Sequence, residues 1–144
     1  MLRTELYGAI RENIEWRANQ LACEGMPRPN SEGARLRLSG PLGDKTLAII
    51  LGLPDLGRGE TGMEFPTNVT FIEEGSGRFF STTDTSGCWT DIDIHEPAVA
   101  QSVSNYRIGG TLYCVSPLPE LNGGSSISFT KLAFVGRLDW EPLQ

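Results

Sequence analysis

Apolar residues recur every fourth position or so at the start of the chain, at Leu2, Leu6, Ile10, Ile14, Ala18 and Leu21. Arg3, Glu5, Arg11, Glu12, Glu15 and Arg17 occupy much of the intervening surface. A three-to-four-residue recurrence lines one face of an α-helix, so this pattern predicts one amphipathic helix over residues 2–22. Docking of the apolar stripe would dominate its stability, since an Arg11–Glu15 pair adds only about 0.2–0.5 kcal/mol. Gly25, Pro27, Pro29, Asn30 and Gly33 then make continuation of the helix costly.

Past Gly33 the period changes to two, with Ala34, Leu36 and Leu38 facing one way and Arg35 and Arg37 the other. Thr46–Leu51 is apolar on both faces and reads as a central strand. The Gly- and Pro-rich stretch Gly52–Pro66 has no sustained period and reads as a long surface loop, a type of segment that often carries binding. Asn68–Glu74 and Arg78–Thr82 flank Gly75-Ser76-Gly77, the signature of a hairpin. Further strands are expected at Trp89–Ile94, Tyr106–Val115 and Ser126–Val135.

The expected architecture is therefore mainly β: an antiparallel β-sandwich of about seven strands with one N-terminal helix. The spacing leaves little room for the crossover helices of a parallel sheet. A small, partly open β-barrel is the alternative. No repeat or polar tract divides the chain, so residues 1–144 are expected to form one domain with its β-rich body over 34–140.

Composition places the chain among folded globules, because 39% hydrophobic residues suffice for a core. The net charge of −6 and the scattered basic residues argue against nucleic acid as a partner. The longest apolar run, Leu47–Leu51, falls far short of the roughly 20 residues of a bilayer-crossing helix. The N-terminus lacks the apolar stretch of a signal peptide. The chain is then either cytoplasmic, or a periplasmic or secreted protein whose leader is replaced by Met1.

Cys23, Cys88 and Cys114 form no CxxC pair, which speaks against a zinc knuckle or a thioredoxin-like site. Cys88 starts one expected strand and Cys114 ends another, so the two are expected to form a disulfide. Asn68-Val69-Thr70 matches the glycosylation pattern, but an expected strand position disfavours modification there.

Candidate chemistry is densest from Asp84 to Glu96. On a regular strand Asp91, Asp93 and His95 would share one face opposite Ile92 and Ile94, in the manner of an ordinary amphipathic strand or a polar binding face. The same three could approach a divalent cation, although residues two apart lie nearly 7 Å from each other, so convergence would need a turn or bulge. No nucleophile elbow, HExxH motif, phosphate loop or EF-hand is present, and no cofactor is called for. The leading expectation is a noncatalytic protein-binding module, such as an extracytoplasmic inhibitor or immunity-like factor. Its recognition surface would combine the Gly52–Pro66 loop with Asp84, Trp89, Asp91, Asp93, His95 and Glu96. The alternatives are a carbohydrate-binding sandwich, which requires an exposed aromatic beside polar groups, and a small metal-dependent hydrolase using the Asp84–Glu96 region.

Overall fold

A spacing of four is also twice the two-residue period of a strand, and the N-terminal segment is built on that second reading. In the computed structural model, which describes residues 1–29, 32–83 and 87–140, the expected helix is absent. Its place is taken by β1 (Leu2–Gly8) and β2 (Glu12–Trp16), paired antiparallel with Leu2 opposite Trp16 and Leu6 opposite Glu12. Leu2, Thr4 and Leu6 point inward while Arg3, Glu5 and Tyr7 are exposed. Thr4 and Trp16 complete the inward alternation, and Ala18 lies exposed in the turn that follows.

The remaining strands are β3 (Ala22–Pro27), β4 (Ala34–Leu42), β5 (Lys45–Leu53), β6 (Gly62–Pro66), β7 (Asn68–Glu74) and β8 (Arg78–Ser81). They are followed by β9 (Cys88–Pro97), β10 (Asn105–Cys114), β11 (Leu118–Pro119), β12 (Ser126–Ser128) and β13 (Leu132–Asp139). The described residues thus contain thirteen strands and no helix, where about seven strands and a helix were expected. Much of the excess is short: β11 has 2 residues and β12 has 3, lengths at which periodicity cannot be read.

The strands form two open sheets rather than a barrel, one in the order β11-β12-β1-β13-β10-β9-β6 with β2 also on β1, the other β3-β4-β5-β7-β8. All pairings are antiparallel. Inward residues of both sheets join one apolar cluster that includes Leu36, Leu38, Ile49, Leu51 and Phe71 from the smaller sheet and Leu2, Ile108, Leu112 and Phe134 from the larger. Phe71 stacks on Phe129 at 5.6 Å across it. The sheets also meet where Cys23 of β3 bonds the backbone of Arg137 in β13, the carbonyl accepting at 3.4 Å and the amide donating at 3.3 Å. Burial raises the Cys23 thiol pKa there, so the thiol stays protonated and can donate.

Two loop expectations need separate treatment. The β7–β8 hairpin turns at Gly75 and Gly77, both at positive φ, as a tight connection requires. The stretch Gly52–Pro66 is not one long loop: β5 runs on to Leu53, and Gly62–Pro66 becomes β6, the edge strand beside β9. No helix among the described residues is long and apolar enough to cross a membrane.

Candidate functional site

The candidate residues fall on β9, whose register is broken once. Against β10, Gly109 pairs with Ile94 and Gly110 with Ile92, so Asp93 has no partner and forms a β-bulge. Gly110 makes the irregularity possible, because a Cβ there would lie 2.0 Å from the Asp91 carbonyl oxygen. An extra residue reverses which side chains face inward. Cys88, Thr90 and Ile92 are buried before the bulge, and His95 is buried after it.

The sequence reading that put Asp91, Asp93 and His95 on one face is therefore corrected. Asp91 lies on the outer face, Asp93 is exposed at the bulge, and His95 turns into the body of the protein at 7% exposure. Among the described residues no three His, Cys, Asp or Glu side chains gather as a metal site. Glu96 is exposed and pairs loosely with Arg107 at 3.6 Å. Asp84 lies outside the described residues.

His95 is fully engaged. Its Nε2 accepts from Trp140 Nε1 at 2.9 Å and from the Gly59 amide at 3.3 Å. Since Nε2 is an acceptor, the proton sits on Nδ1, which donates to the Glu60 carbonyl at 2.8 Å. Tyr106 meets the ring edge-on at 5.2 Å and Trp140 stacks on it at 5.6 Å. Burial lowers the imidazole pKa below its ordinary value of 6.5, and the Glu60 carbonyl opposes that shift. A ring so occupied acts as a clasp between β9 and the 54–61 connection, with neither nitrogen left to serve as a general base.

On the outer face, Trp89 and Tyr113 stand opposite each other with their rings 6.0 Å apart. Asp91 Oδ1 accepts from the Glu64 amide at 2.8 Å and from the Tyr113 hydroxyl at 3.4 Å. Burial and the nearby Asp91 charge raise the tyrosine pKa, which keeps its hydroxyl a donor. Glu64 has a φ of 62°, a left-handed conformation uncommon for a non-glycine residue, held in part by that bond to Asp91. Next to it Met63 projects with 76% exposure.

Cys88 and Cys114 are directly opposed in the β9–β10 register, with Cα atoms 4.1 Å apart, and form a disulfide. Sequence reasoning placed Met63 and Glu64 within the Gly52–Pro66 part of the recognition surface without singling them out, and it missed Tyr113 and Trp140 as neighbours of the candidate residues. Trp140 lies 45 positions from His95, and no local pattern reports such a contact.

No protein-family model matches the chain, and no curated protein or solved structure matches it either.

Proposed function

We propose that the chain is a noncatalytic protein-binding module that works outside the cytoplasm, with the β6 edge and the adjoining bulge of β9 as its recognition surface. Met63 is the observation that supports this reading. A methionine 76% exposed on an edge strand is an apolar anchor in search of a pocket, and methionine adapts readily to the pocket it meets. Its support is firm: Asp91 fixes the Glu64 backbone, and His95 fixes Gly59 and Glu60 just before the strand. Exposed Glu64 and Asp93 flank it, the latter lining the same shallow depression as Met63. The partner that fits has an apolar pocket with a basic rim. Occluding such a partner is all that an inhibitor or immunity-like factor must do. The disulfide favours an oxidising compartment, since glutathione keeps most cytosolic thiols reduced.

The test is a pull-down from the periplasmic or secreted fraction, followed by measurement of direct binding with the purified partner. Met63→Ala should weaken binding at least about tenfold, equivalent to about 1.4 kcal/mol, and raised salt should weaken it through the rim. A partner bound equally well by Met63→Ala and by an Asp93→Lys variant would overturn this assignment of the surface.

A further inference from the structure

We infer that the outer face of the larger sheet, running from the Met63 edge across to β2, is a second binding face, and that its ligand is a neutral oligosaccharide. The register lays out one cross-strand row on this face: Asp91 opposite Thr111, Thr111 opposite Ala133, Ala133 opposite Arg3, and Arg3 opposite Glu15. To one side of this row and on the same face stand two further pairs, Trp89 with Tyr113 on β9 and β10 and Glu5 with Asn13 on β1 and β2. At about 4.8 Å per strand, the span from β9 to β2 is about 19 Å, which suits a short chain of sugars better than a single ring.

The surface along this row is hollowed on both sides of its middle. A depression of about 420 Å³ is lined by Arg3, Glu5, Asn13, Glu15 and Lys131. Another, of about 410 Å³, contains Asp91 and Thr111 and is shared with Met63 and Asp93 at the β6 edge. The two depressions approach each other at the directly paired Thr111 and Ala133, Ala133 lining the first and Thr111 the second. Both side chains are small, which suits an extended ligand crossing between them.

The chemistry of the lining selects the ligand class. A pyranose has an apolar C–H face and a rim of hydroxyls that both donate and accept. The half-buried Trp89 and Tyr113 rings offer apolar bodies at one end, and Tyr7, 44% exposed, continues the outward side of β1 beyond Glu5. Between them stand carboxylate acceptors, cationic donors and the Asn13 amide, which does both. Arg3 and Lys131 sit among Glu5, Glu15 and Asp91, so the face carries charges of both signs and has no cationic stripe for a polyanion. Away from Met63 at its β6 end, the trough has no protruding apolar centre of the kind a protein partner would call for, since Thr111 and Ala133 supply none.

The probes are cellohexaose, chitohexaose, xylohexaose and maltohexaose, each titrated to millimolar concentration into the intact disulfide-bonded chain and followed by amide chemical shifts and tryptophan fluorescence. At least one should shift the amides of Thr111, Ala133 and Arg3 together. Trp89→Ala should weaken that sugar about tenfold or more while Trp89→Phe retains most of the affinity. Asn13→Ala, on exposed β2, provides a variant with little bearing on folding and should weaken a hexaose more than the corresponding disaccharide. Shifts confined to the β6 edge, or no response to any of these sugars, would overturn the inference. Because Asn13 lies in the depression that no β6 residue lines, Asn13→Ala is expected to weaken the sugar and leave protein binding unchanged, so either proposal can fail without the other.

Discussion

Replacing His95 by Phe would test whether the buried imidazole is a structural clasp. The phenyl ring keeps the packing against Tyr106 and Trp140 but removes both nitrogens. Trp140, 9% exposed, then has an indole N–H without its acceptor, which costs about 1–3 kcal/mol. The Gly59 amide and Glu60 carbonyl lie on exposed residues where water can replace the imidazole, so each loses at most about 0.5–1.5 kcal/mol. Allowing for that rehydration, the expected loss is about 2–4 kcal/mol, a drop in Tm of roughly 6–15 °C at this chain length. Urea unfolding followed by far-UV circular dichroism measures it, and a loss below about 1 kcal/mol would refute the clasp. The pH dependence offers an independent check, because this is the chain's sole histidine. The folded imidazole pKa is lowered from 6.5, so as pH falls below 6.5 the unfolded chain binds a proton before the folded chain does. Stability is therefore full above that pH and declines as acidity approaches the folded pKa. The variant should lose this part of the slope; an identical slope in both proteins would refute the argument.

Replacing both Cys88 and Cys114 by Ser should cost about 3.5 kcal/mol, the loop-closure value for a separation of 26 residues; a change within about 0.5 kcal/mol, read by urea unfolding, would show that the strand pairing alone closes the loop. Gly110→Ala forces a Cβ to 2.0 Å from the Asp91 carbonyl and should destabilise by about 2–3 kcal/mol, with shifts in the Trp89–Ile94 amides; an unperturbed Tm would contradict the bulge geometry. Glu120 accepts from Arg78 Nε at 3.0 Å and from Ser125, and these bonds hold its pKa down at about 2 instead of 4.5. Its contribution to stability is present above pH 4.5 and lost as pH falls through 2, so Glu120→Gln should flatten the acid limb; a carboxyl NMR titration midpoint near 4.5 would contradict the pairing.

The N-terminal segment shows how a correct observation can yield the wrong element. Leu2, Leu6, Ile10 and Ile14 are all buried, but every one is at an even position, so a strand satisfies the pattern as well as a helix. The discriminating residues were those outside the apolar set. Thr4 and Trp16 are buried at 4% and 2%, filling the even positions a strand requires, and Gly8, at a φ of 95°, closes β1 where a helix would have needed to continue. By contrast, the β7–β8 hairpin could be read locally because glycine chemistry at its turn and alternation on both arms agree. Opposition of Cys88 and Cys114 was also legible, since each sits at the end of an alternating run.

The distribution of chemistry along β9 followed from something alternation cannot encode. One unpaired residue, Asp93, converts a strand with Asp91, Asp93 and His95 on the same side into one whose polar groups serve three places. Before the bulge, Trp89 and Asp91 join the outer face. At the bulge, Asp93 is exposed at the β6 edge. Beyond it, His95 turns inward and ties down the connection that leads into that edge. The only local trace of this device is Gly109-Gly110 on the neighbouring strand, where the close approach to Asp91 excludes any side chain at Gly110. A paired glycine opposite a polar strand is thus the sign that would have warned against extending the alternation through Asp93. It implies that the clasp, the edge and the outer face are mechanically linked through a few residues of β9, so a substitution that slips this register disturbs all three at once.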